Sequence, residues 1–162
     1  MSKRRSNGSL RCMAAGVCFA IVTVLSFKSE AASTLHTILR ILGTAAVSAG
    51  MFLRMSVPGA FGSTCLLLTR LVWAKEYMQG DYYALLVFAS VAACALLLGA
   101  FLFKKKAKKL GTWAGVFMCI WGLLSYVFPG LKGISVLEWV KVVLYAIGCM
   151  LAGRAVQKGE CE

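Results

Sequence analysis

Three cations stand inside otherwise apolar stretches of this chain: Arg40 within 35–53, Arg70 within 60–74 and Lys141 near the start of 134–153, with Glu138 three residues before it. A charge in such surroundings is costly, and it tends to mark a path or a binding place for an opposite charge. On helices rising about 1.5 Å per residue, all three cations fall at similar depth below one surface. That placement suits a vestibule for an anionic solute or lipid headgroup, with Glu138 as the local counter-ion. The plainer reading, which the sequence by itself favours, is that each long side chain snorkels to the surface separately.

A second set is Lys104, Lys105, Lys106, Lys108 and Lys109, five lysines in six positions between two apolar runs. At a cytoplasmic surface such lysines attract anionic lipid by roughly 1 kcal/mol each. A loop this short between two spans is also where an orientation signal is expected, and the sequence favours that role.

Covalent catalysis has few candidates. Ala46-Val47-Ser48-Ala49-Gly50 approaches the nucleophile-elbow pattern but lies in a helical run, not at a strand-to-helix turn. His36, the one histidine, is twelve residues from Ser48. That is about 18 Å along one helix, too far to activate the hydroxyl. His36 reads instead as an interfacial polar residue. The spans hold no paired carboxylates, the seven cysteines form no C-x-x-C pair, and one histidine is too few for an ordinary zinc site. No enzyme, metal or cofactor is expected.

The elements that must carry these residues are membrane helices. Of 162 residues 60% are hydrophobic and only 15% charged, against about 25% charged in soluble domains. The net charge of +12 would suggest nucleic acid in a soluble protein, but no recognition motif accompanies it. No nucleic-acid partner is expected.

Residues 12–27, 82–103, 110–131 and 134–153 are apolar runs, the second of 22 residues and so about 33 Å long as a helix. The first follows Lys3, Arg4, Arg5 and Arg11 and precedes Ser29-Glu30-Ala31, so it is a signal anchor or a cleaved signal peptide. Residues 35–75, interrupted at Val57-Pro58-Gly59, either cross twice or form a re-entrant hairpin.

The expected fold is all-α: a polytopic helical membrane bundle of about six transmembrane segments, five if the first is removed. Residues 1–31 form the basic N-terminus and signal segment, and 32–162 a single integral membrane domain. With both termini inside, twelve basic residues fall on the inner side and three, Lys28, Lys75 and Lys132, on the outer. Trp73, Tyr77, Tyr82, Tyr83, Trp113 and Trp139 fall at proposed boundaries, as an aromatic belt would. The expected location is a bacterial inner membrane, with the endoplasmic reticulum as alternative and cytoplasmic termini if the first segment stays.

Gly111 and Gly115 have the small-x-x-x-small spacing that lets helices approach. Ala45/Ala49, Ala46/Gly50, Ala89/Ala93 and Gly148/Ala152 repeat it. Such faces serve a partner chain or packing within the chain. The leading functional expectation is a small subunit or accessory of a membrane assembly, in contact with lipid and with other membrane subunits or itself. The alternative is a small channel or transporter for an anionic solute.

Overall fold

A computed structural model describes residues 2–27, 34–77, 81–127 and 135–160, and their side chains except those of 2–9, 73–77 and 81–83. Lys28, Lys75, Lys132 and the proposed cleavage site lie outside the described positions or side chains, as do Trp73, Tyr77, Tyr82 and Tyr83.

The described chain is helical throughout: α1 (Ser2–Phe27), α2 (Thr34–Leu53), α3 (Ser56–Tyr77), α4 (Asp81–Leu102), α5 (Ala107–Val127) and α6 (Val136–Gln157). Five of these helices are long and apolar enough to cross a membrane, and α3 adds a shorter apolar stretch, Ser56–Val72. The chain is thus an all-helical integral membrane protein by the length and composition of its elements.

Residues 34–77 resolve into two antiparallel helices. The break falls at Arg54, which adopts a left-handed φ of 56°, and the Met55 amide donates to the Gly50 carbonyl at 2.9 Å across the turn. Pro58 then sits in the first turn of α3, where the missing amide is no loss. For this reason α3 starts earlier than the apolar run and is long enough to keep pace with α2 and α4.

Each helix packs on its neighbours in sequence, and α1 closes the circuit by packing on α6. Phe19 and Tyr145 meet edge to face across that closure, ring centroids 5.5 Å apart. Ser48 donates from α2 to the Gly16 carbonyl of α1 at 2.8 Å. Its hydroxyl is therefore committed to helix packing.

Large apolar side chains such as Val24, Phe61, Phe88 and Leu123 point outward, while Ala15, Ala93, Ala107, Ala114 and Ala155 are fully buried. Large side chains such as Phe19, Met51, Leu86 and Leu97 also fill the interior, and the buried alanines let the helix backbones approach closely, as packing in lipid favours. Gly111 and Gly115 lie on the α5–α6 seam. A Cβ on Gly111 would stand 2.6 Å from the Cys149 carbonyl oxygen, and one on Gly115 would stand 3.0 Å from that of Ala146. Their packing partner is thus α6 of the same chain.

The start of α1, the start of α5 and the end of α6 lie on one face of the bundle, as the contacts of Arg11 with Glu160 and Lys108 with Gln157 require. We call it the terminal face and the opposite one the distal face. Lys104, Lys105 and Lys106 form a single 3-10 turn on the terminal face, and all five lysines of that stretch are exposed. Trp113 is exposed one turn further along α5, at the depth where belt aromatics sit.

Candidate functional site

The charges inside the spans lie toward the distal face, at the ends of α2, α3 and α6 opposite the terminal face. Arg40 is six residues into α2, Lys141 five into α6, and Arg70 seven from the end of α3. These offsets correspond to depths of about 9, 8 and 11 Å along the respective helices.

Arg40 donates from its guanidinium to the Ser26 carbonyl at 3.1 Å. That oxygen belongs to the last turn of α1, whose carbonyls lack intrahelical partners. The guanidinium caps the helix and favours its negative end. The Arg70 guanidinium lies over the Trp121 ring of α5, 5.0 Å from the centroid, so a charge from α3 rests on an aromatic face across the bundle. Lys141 is buried and ion-paired with Glu138 one turn earlier on α6, their side chains 9% and 32% exposed. Ser135 caps α6 by accepting the Glu138 amide at 3.4 Å, which seats the carboxylate at the positive end of the helix.

These side chains share one electrostatic neighbourhood. The charge of Arg70 is felt at Arg40, at His36 and at Lys141. It also reaches Tyr145 and Cys94, whose hydroxyl and thiol are 3.8 Å apart in the interior. Glu138 attracts both Arg40 and Lys141. Arg40, Arg70 and Lys141 therefore converge from three helices on one region, and Glu138 offsets only part of their charge.

Two donors bordering this region are buried and find no acceptor among the described residues: Arg40 Nε and Trp121 Nε1. A buried donor without a partner costs about 1–3 kcal/mol. An anion would satisfy both the surplus charge and such donors.

The structure thus places the three cations whose depth is readable from the sequence in one electrostatic neighbourhood with Glu138, and adds His36 and Trp121. His36 is buried one turn before Arg40, and its i, i+4 spacing to that arginine is the signal that it shares the same face. Trp121 carries no comparable signal, because its partner lies fifty-one residues away on another helix. The lysines at 104–109 take no part in this region, being at the opposite face. Comparison with family models, with curated proteins and with solved structures finds no match to this chain.

Proposed function

We propose that this protein is a small multi-pass membrane protein that binds a small anion at its distal face and lets it pass, with no covalent chemistry. The observation that carries this reading is the convergence of Arg40, Arg70 and Lys141 on one region with a single described carboxylate. Three cations snorkelling separately would have no reason to face the same interior. By the excess of basic residues on the terminal side, that face is cytoplasmic and the distal face external, as in a bacterial inner membrane.

The test is anion flux into proteoliposomes, with chloride, inorganic phosphate and acetate as probes. At least one should move, and Arg40→Gln/Arg70→Gln/Lys141→Gln should cut its rate tenfold or more, by the loss of charge stabilisation in a poorly solvated site. No flux of any probe, or equal flux in the variant, overturns the reading.

The assembly-subunit reading keeps one supporting observation. Most of the small-residue spacings are spent inside the chain, but Ala45 and Ala49 are exposed on the outer side of α2. The same triple variant separates the two roles, since a subunit would keep its partner while losing those charges.

The first helix belongs to the mature protein in this proposal. Cys12, Ala15, Phe19 and Val22 are buried against the rest of the bundle, and removal of α1 would expose that seam. A C-terminally tagged protein purified from the membrane should carry its N-terminal residues, read by intact mass. A mass lacking residues 1–31 would show instead that a signal peptide had been removed.

A further inference from the structure

On the terminal face a cavity of about 530 Å³ opens between α1, α5 and α6. It is lined by Arg11 from α1, Lys108 from α5, and Arg154, Gln157 and Lys158 from the end of α6 and the residue after it. Four of those five residues are cations, and the nearby Glu160 offsets one of them by pairing with Arg11 at 3.7 Å. The volume falls in the range of about 300–1,000 Å³ common for small-ligand sites.

Orientation in the membrane does not explain this arrangement. That rule asks only that positive charge lie on one side, and Lys104, Lys105, Lys106 and Lys109 meet it while standing exposed outside the cavity. The C-terminal end of α6 favours a cation of its own, yet Arg11 and Lys108 are brought in from other helices. Arg154 and Lys158 are one turn apart, so they repel each other. The wall is also built: the Gln157 side-chain oxygen accepts the Lys108 amide at 2.9 Å and ties the end of α6 to the first turn of α5.

We propose that this cavity binds a phosphate group, carried by an anionic lipid headgroup or by a soluble phosphate. Two arginine forks present paired N–H donors to phosphate oxygens, and two lysines supply compact charge. The cavity sits where α1, α5 and α6 leave their apolar runs, which is the level of headgroup phosphates. The site is independent of the distal cluster, and of the five lysines of the 104–109 stretch it uses only Lys108.

The test uses the full-length protein in detergent. Native mass spectrometry reads retention of phosphatidic acid, and a second arm reads thermal stabilisation by inorganic phosphate against chloride at equal ionic strength. Arg154→Gln and Lys108→Gln should each weaken binding about tenfold, the usual scale for one charge-assisted hydrogen bond. A variant with glutamine at 104, 105, 106 and 109 should stay within about twofold, because none of those four side chains lines the cavity.

Retained phosphatidic acid with no effect of inorganic phosphate assigns the group to lipid. Stabilisation by inorganic phosphate without lipid retention assigns it to a soluble ligand. Either supports the site if it follows Arg154 and Lys108. Equal loss in the four-lysine variant, or unchanged binding in both cavity variants, overturns it. If Arg154→Gln does not purify as a monodisperse species, Lys158→Gln carries the same comparison.

Discussion

Gly153→Ala is expected to cost the protein about 3 kcal/mol or to prevent assembly, the upper range for overpacking a tight contact. The added Cβ would stand 2.5 Å from the Ala107 carbonyl oxygen and 2.9 Å from the Gly111 Cα. Both obstacles are backbone atoms, and no rotamer change can clear them. The two helices would have to separate along the seam that holds Gly111 and Gly115, and Lys108 would move away from Arg154.

The control is Gly99→Ala, where the nearest atom to the new Cβ is 3.5 Å away. This change should be neutral, or stabilising by up to about 1 kcal/mol through helix propensity. The measurement is the monodisperse fraction surviving a temperature ramp in detergent. Equal melting of the two variants would mean that α5 and α6 are not in backbone contact.

The second large effect is electrostatic. Glu138→Gln leaves Lys141 buried within electrostatic reach of Arg40 and Arg70, without the carboxylate that now pairs with it. Breaking a buried pair from one side costs about 3–5 kcal/mol, and partial exposure of Glu138 reduces this to roughly 2–3. Removing both charges in Glu138→Gln/Lys141→Met should restore stability to within about 1 kcal/mol of the wild type. The double variant should therefore melt above Glu138→Gln.

Anion binding makes a separate demand on the same variants. An anion that occupies the distal region should stabilise Glu138→Gln with rising concentration, by mass action, and should stabilise the double variant less. A double variant that melts no higher than Glu138→Gln would show that the pair is not a unit.

The sequence carried the spans and the depth of the charges but not the direction in which they face. The uncharged run 82–103 is long enough to be read directly, and the helix observed there, α4, differs from it by one residue at each end. The interruption was read at Val57-Pro58-Gly59, but the break falls at Arg54 and Met55, and Pro58 lies inside the first turn of α3. Its effect on length was harder to read, since a proline in a first turn does not end a helix.

Azimuth was the hidden quantity. A helix that is apolar all round has no periodic stripe to show which side faces lipid. Arg40, Arg70 and Lys141 could therefore be placed by depth alone, and their convergence needed the packing of α2, α3 and α6. The terminal cavity was obscured for a different reason. Arg11, Arg154 and Lys158 fitted a count of positive charges so well that their grouping had no separate trace.

Closure of α1 on α6 has a consequence in time. Phe19 leaves the ribosome more than a hundred residues before Tyr145 and Gly148, against which it packs. At about 5–20 residues per second the first helix waits on the order of ten seconds for its seat. During that interval α2 is the main packing partner α1 has. A helix made before the other five is thus among the last to be locked in place, and a chain that stalls before α6 leaves it unfinished.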